Sequence, residues 1–160
     1  TPGTRISRGD QAEAFAQALA LTVAALAAEQ VGGAQMCLEM ATEYAKTRLQ
    51  FGRPIGSYQA IKHKCADMLV EVEFAKSAAY AACFGAADGA EDLLEMAALA
   101  KSYCSETYFH AAAENIQIHG GMGFTWELPC HLYFKRAKSS ELLLGDAAHH
   151  REVLAALIQV

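Results

Sequence analysis

Between Gln11 and Leu49 the chain holds nothing that would stop a helix except one glycine pair, Gly32-Gly33. Phe15, Leu19, Val23, Leu26, Gln30, Cys37, Met40 and Tyr44 follow an approximate three-to-four spacing through it, with a slip of phase near the glycines. A helix of about 39 residues is roughly 60 Å long at 1.5 Å per residue. Such a rod cannot bury its apolar stripe against itself, so it requires long partner helices. The two glycines weaken the helix locally, and the expected offset is close approach of a neighbour at that point. Gly52 and Pro54 should end the rod, with Gly52 as the residue just past its C-terminus. At the other end, Asp10 is a fair N-cap after an irregular lead over residues 1–9, which leaves 10–160 as the helical domain.

Ser57 should open a second helix, in which Ile61, Cys65, Met68, Val72, Ala75, Ala79 and Cys83 repeat in strict four-three order. Gly85 to Gly89 should close it. Glu91 and Asp92 then fall in the first turn of a third helix, where the helix dipole favours negative charge. That helix carries Leu93, Ala97, Ala100, Cys104, Thr107 and Ala111 on one side and runs to about Ile118. The glycines in His119–Phe124 predict a tight loop. A short helix should follow Pro129, and a last one should begin near Asp146. The pattern predicts an all-α fold, an elongated up-down bundle of three long and two short helices.

Composition agrees with that reading. About a fifth of the 160 residues are alanine, the best helix former, and β-branched residues are scarce. The 13 basic and 18 acidic side chains leave a net charge of −5 and no Lys/Arg cluster, which argues against a nucleic-acid or anionic-membrane partner. The longest nearly uncharged stretch, Ala14–Ala28, is shorter than the roughly 20 apolar residues of a membrane span. Cys37, Cys65, Cys83, Cys104 and Cys130 are odd in number and widely spaced, so they read as apolar filler in a reducing cytoplasm. The start at Thr1-Pro2-Gly3 is neither a signal peptide nor a methionine, which suggests a piece of a longer chain.

Catalytic constellations are missing. A di-iron bundle needs Glu-x-x-His pairs on two helices, whereas Glu106/His110 and Glu127/His131 are four apart. The adjacent His149 and His150 point to different faces of a helix, and no metal site is expected. There is no P-loop, no nucleophile elbow and no dinucleotide glycine motif after a strand. Two stretches carry a structural and a functional reading side by side. Gly120-Gly121-Met122-Gly123 can be a C-cap and turn with Met122, Phe124 and Trp126 packed back on the bundle. Arg48 can simply serve the helix dipole. Alternatively, Arg48 is a fixed guanidinium for a phosphate, and Gly120-Gly121 let backbone N–H groups approach the same anion. Two anion-binding elements without a catalytic group suit a domain that holds a cofactor whose chemistry is done elsewhere.

The order and spacing of Arg48-x-Gln50-Phe51-Gly52-x-Pro54-Ile55, Gln59-Ala60-Ile61, Ala66-Asp67-Met68 and Gln117-Ile118-His119-Gly120-Gly121-Met122-Gly123-Phe124 resemble the C-terminal helical domain of flavin-dependent acyl-CoA dehydrogenases. The similarity covers about residues 10 to 157. It implies that a helical and a β-domain precede this one in a full-length chain. It also implies FAD as cofactor, bound mainly by a neighbouring acyl-CoA dehydrogenase subunit in a dimer or tetramer. By resemblance Arg48 meets the pyrophosphate, and Gln50 and Phe51 lie beside the flavin nucleotide. Gln59, Gln117, His119, Gly120 and Gly121 fall at its adenosine and phosphate end.

The family's catalytic glutamate is the departure. Aligning Arg136-Ala137-Lys138 with the family's basic segment puts Leu144 where the base belongs, within Leu143-Leu144-Gly145-Asp146. Members with the base on the first long helix have it where Thr22 stands here, and the arginine that commonly follows is Val23. One reading is a non-catalytic subunit of a heteromeric bacterial enzyme acting on fatty-acyl or steroid side-chain acyl-CoA substrates. The other is an active homo-oligomer with Glu141 or Asp146 as base. A helical interaction module is the reading outside the enzyme class. On the first two readings the isolated chain is inactive.

Overall fold

The unbroken run forms a 36-residue helix, α1 (Ala12–Thr47), about 54 Å long. The computed structural model describes residues 11–159, so the irregular lead and the Asp10 cap lie outside the described residues. Helices α2 (Gln59–Asp88) and α3 (Leu93–His119) are the other two long rods, and α4 (Cys130–Leu142) and α5 (Ala147–Leu157) are the short pair. α3 is the central element and packs against all four other helices. Its expected stripe, Leu93, Ala97, Ala100, Cys104, Thr107 and Ala111, is buried throughout. Alanine and cysteine dominate these contacts, which lets the long axes approach closely.

The glycine pair in α1 divides its roles. A Cβ built on Gly33 would stand 2.6 Å from Cε2 and Oη of the buried Tyr108 of α3, and closer still to Cζ. Gly33 is therefore the place where α1 receives the ring end of Tyr108 from α3. Gly32, one residue earlier, has nothing within 4 Å. The N-terminal end of the expected stripe needs correction: Phe15 and Leu19 are exposed. There Ala20 and Val23 pack against Leu93 and Ala97 of α3, and Phe15 and Leu19 face outward.

α1 also ends differently from the sequence expectation. The helix stops at Thr47, and Arg48 caps it by donating its backbone N–H to the Tyr44 carbonyl. A small hairpin follows, β1 (Leu49–Gln50) antiparallel to β2 (Arg53–Pro54). Its two turn residues, Phe51 and Gly52, have φ of 53° and 81°. Two consecutive positive φ values make a turn of the type I′ class, which matches the twist of paired strands. Gly52 thus serves the hairpin and not the helix end. Pro54, lacking an N–H, is tolerated because the two-stranded ribbon is all edge.

By length and composition α1 also passes for a membrane span, with a mean hydropathy of 1.4 in its most apolar window. The Ala14–Ala28 stretch understated that. Ala24, Ala27, Val31, Ala34, Cys37 and Leu38 of this helix are buried against α2 and α3, whereas Phe15, Leu19 and Leu21 are exposed.

Candidate functional site

The C-terminal ends of α1 and α3 lie side by side, and the hairpin and the glycine loop close the space between them. The result is a cleft of about 480 Å³ lined by Tyr44, Arg48, Gln50, His119, Gly120 and Gly121, with Ile55, Ile118, Met122 and Thr125 completing it. Five of the eight sequence-predicted residues meet here: Arg48, Gln50, His119, Gly120 and Gly121. Phe51, Gln59 and Gln117 do not line the cleft. Phe51 projects from the hairpin tip, edge-on to Tyr58. Gln59 opens α2 with its amide beside His63, and Gln117 is exposed on α3.

Each wall is fixed by local structure. The Arg48 carbonyl accepts from the N–H of Ile55, and the Tyr58 hydroxyl donates to the carbonyl of Gln50, so the hairpin is tied at both edges. Arg53 stacks over the Tyr58 ring at 4.0 Å and does not line the cleft. His119 is buried; its Nδ1–H donates to the Asn115 carbonyl at 2.8 Å, and its ring stacks on Tyr44 with centroids 4.1 Å apart. The last turn of α3 and the first helix thus share one aromatic floor. Sequence reasoning missed Tyr44 as part of it, having read it only as core.

The glycine loop is a 3₁₀ turn, Gly120–Phe124. Gly120 has φ of 63° and ψ of −142°, a conformation open only to glycine. Its N–H donates back to the carbonyls of Gln117 and Ile116, so it caps α3 and is not available to a ligand. A Cβ on Gly120 or Gly121 would meet nothing within 4 Å. Gly123 is the packing glycine of the loop, with a Cβ position 3.0 Å from the Ile116 backbone. Phe124 and Trp126 do not pack back on the bundle. They are exposed, and Trp126 lies edge-on to His131 with Lys135 over its face.

The α4–α5 corner, where the missing base falls, has a different character. Leu144 has φ of 62° and packs against the small core of Ala20, Val23, Leu93 and Ala97. Its carbonyl accepts from Nε2–H of the buried His150. The wholly buried Lys101 donates to the carbonyls of Glu141 and Gly145 and to the Ser105 hydroxyl. Burial pulls the Lys101 pKa below its ordinary value. Gln30 bridges Ser105 and Ser140 behind it. Asp146 accepts from the N–H of His149 and caps α5, and the Glu141 carboxylate lies 3.0 Å from Lys138. Lys101 had no signal in the sequence, because its neighbours on α3 gave no hint that a cation would be enclosed.

The cysteines are free thiols among the described residues. Burial pushes Cys37 and Cys104 up to about 12, so both remain protonated and unreactive near neutral pH. No group of three or more metal-ligating side chains occurs among the described residues. Glu106 pairs with Arg151, and His110 lies 2.6 Å from Glu71.

Residues 12–159 match the family model described as the acyl-CoA dehydrogenase C-terminal domain. The chain belongs to the acyl-CoA dehydrogenase family. Acyl-CoA dehydrogenase IpdE2 of Mycobacterium tuberculosis (strain ATCC 25618 / H37Rv) is 48% identical over 132 residues, covering 82% of this chain and 39% of that protein. Among solved structures, a FAD-dependent dehydrogenase superposes with a TM-score of 0.90 at 30% identity, covering 96% of this chain and 42% of that one. The steroid ACAD Tcur3481-Tcur3483 superposes with a TM-score of 0.87 at 34% identity, covering 92% and 41%. This chain spans about two fifths of the length of the curated acyl-CoA dehydrogenases it matches.

Proposed function

We propose that this chain is the C-terminal domain of a longer acyl-CoA dehydrogenase subunit and lends its cleft to the pyrophosphate and adenosine end of FAD held mainly by a neighbouring subunit. The carrying observation is the convergence of Arg48, Gln50 and the open Gly120-Gly121 wall over an aromatic floor in one cleft. A guanidinium offers paired donors to phosphate oxygens, and a wall without Cβ atoms admits the diphosphate closely. The Tyr44–His119 stack adds an apolar face beside it. These residues fit the nucleotide end of the cofactor. Bound FAD would supply the electron acceptor for α,β-dehydrogenation of an acyl-CoA thioester.

The chain's own contribution to the acid–base step is absent on this reading. Leu144 faces an apolar cluster, Asp146 is engaged as a helix cap, and Glu141 lies beside Lys138. The partner subunit then provides the proton-accepting carboxylate, and the complex is a heteromer. The names of two similar proteins, an acyl-CoA dehydrogenase and a steroid ACAD, support an acyl-CoA substrate of the fatty-acyl or steroid side-chain class.

The test is co-expression of the full-length subunit with its partner. Arg48→Ala is expected to weaken flavin retention at least about tenfold, the scale of one charge-assisted phosphate contact. Full flavin occupancy in that variant would refute the cleft assignment. Glu141→Gln and Asp146→Asn are expected to leave turnover within a factor of about three, short of the tenfold that 1.4 kcal/mol gives. Loss of turnover without loss of flavin would instead make one of them the base.

A further inference from the structure

Gly32 weakens α1, and no packing contact explains it. Glycine is a poor helix former, yet a Cβ built at this position meets nothing within 4 Å. What Gly32 does border is a groove of about 580 Å³ between α1 and α4. Gly32 and Gly33 form one wall of it, and Pro129 and Leu132 at the start of α4 form the other. Between the walls lies Tyr108, only 2% exposed, with Cζ and Oη of its ring end against Gly33. Burial raises its phenol above the ordinary range, so it keeps its proton at neutral pH. Among the described residues nothing hydrogen-bonds to that hydroxyl. A tyrosine hydroxyl so deeply enclosed usually has a partner. At the rim, Arg136 donates from Nε and Nη2 to the two carboxylate oxygens of Glu29, at 2.6 Å each. The hydrogen-bonded guanidinium holds the Glu29 carboxyl below its usual pKa. The pair is therefore neutral as a whole, and the guanidinium still has N–H groups to offer an uncharged oxygen.

We propose that this groove binds a neutral alicyclic ligand, a fused-ring ketone or alcohol, with its oxygen on the Tyr108 hydroxyl and its ring face on Gly32. Three features select that chemistry. The buried phenol calls for an oxygen, and as a hydroxyl it can donate to a ketone or accept from an alcohol. The Glu29–Arg136 pair has no net charge to attract an anion, and its carboxylate repels one. The groove is also open along its length, so a flexible chain would gain little for the freedom it loses, whereas a rigid ring has little to lose. Glu29 and Met36 mark its ends on α1, seven residues or about 10 Å apart, which is the reach of a few fused rings. Met36 adds an adaptable apolar edge. Gly32 then has its reason, since a methyl there would lift the ring from the wall. Glu29 is the carboxylate on this groove, and Arg136 already holds it, so the ligand is bound there and not deprotonated.

This inference is independent of the cofactor reading, because the groove and the nucleotide cleft share no lining residue. Arg48→Ala should leave ring binding unchanged, and Gly32→Ala should leave flavin retention unchanged. The test is isothermal titration of the full-length subunit, co-expressed with its partner, against three probes of similar size: trans-1-decalone, 2-decanone and decalin-2-carboxylate. The bicyclic ketone is expected to bind with a Kd on the order of 10⁻⁴ M, ordinary for so small a ligand, and at least about tenfold more tightly than the other two. Tyr108→Phe should weaken it about three- to tenfold, the scale of one neutral hydrogen bond, with circular dichroism unchanged. Gly32→Ala should weaken it at least about tenfold while raising the thermal midpoint, which separates lost binding from lost folding. Glu29→Gln should admit the carboxylate that the parent rejects, because Arg136 is then uncompensated. Absence of decalone binding, binding by the isolated 160-residue chain alone, or equal affinity for either of the other probes overturns the proposal. Binding by the isolated chain alone would mean that the rest of the longer protein fills the groove. Affinity indifferent to Gly32→Ala or to Tyr108→Phe, or a Glu29→Gln chain that still rejects the carboxylate, overturns it as well.

Discussion

Gly33→Ala isolates the close approach of α1 and α3, because its neighbour supplies the control. Both Gly32 and Gly33 lie inside α1, and alanine at either gains about 0.8–1.0 kcal/mol of helix propensity. At Gly32 the new methyl meets nothing within 4 Å, so the gain stands and the variant is expected to be more stable than the parent. At Gly33 the methyl would stand 2.6 Å from two Tyr108 ring-system atoms, against an ordinary carbon contact of about 3.5–4.0 Å. Tyr108 is buried, so its ring has to shift from its packed position or the two helices have to part. Overpacking of this kind costs about 1–3 kcal/mol. The difference between the two variants cancels propensity and reports that clash alone. Urea unfolding followed by circular dichroism measures it, and thermal scans should separate the two by roughly 2–4 °C per kcal/mol. Tyr108→Leu in both backgrounds should shrink the gap, since the opposing ring is then gone. Equal stability of Gly33→Ala and Gly32→Ala would refute the reasoning.

Three further outcomes are expected. Cys37 and Cys104 have folded pKa values raised from 9.0 to about 12, so their contribution to stability is intact below pH 9 and is lost as pH rises towards 12. The slope is about 1.4 kcal/mol per pH unit for each thiol. Alkaline unfolding curves should flatten in a Cys37→Ala/Cys104→Ala chain, and an unchanged slope would count against the assignment. Lys101 works in the opposite sense, because its lowered folded pKa makes stability rise with pH in the window below 10.5. Lys101→Ala orphans the Glu141 and Gly145 carbonyls and should cost about 2–4 kcal/mol, read from urea midpoints, with protease nicking at the α4–α5 corner. Gly120→Ala forces an L-residue into φ 63°, ψ −142° and should cost about 1–3 kcal/mol, whereas Gly121→Ala should cost less than half of that.

The sequence by itself determined the five helices, their order and most of their inward faces. Periodicity is local, and no residue of the α3 stripe needed its neighbours to be identified. The same holds for the start of the last helix near Asp146, whereas the capping bond from its side chain is a finding of the structure. Spacing of the Arg48 and Gly120-Gly121 motifs, taken with the family they resemble, was enough to name five residues that meet in one cleft. Tertiary structure decided everything that depends on which helix stands opposite. It alone separates Gly33 from Gly32, encloses Lys101 at the α4–α5 corner, and leaves Phe15 and Leu19 exposed while Ala20 and Val23 take the contact with α3. It also turned Gly52 from a helix end into half of a hairpin turn, since a glycine suits either and only the pairing of Leu49 with Pro54 distinguishes them. Side-chain pattern carries the phase of one helix. The distance between two helices is set by the residues of both, and no single stretch of sequence contains it.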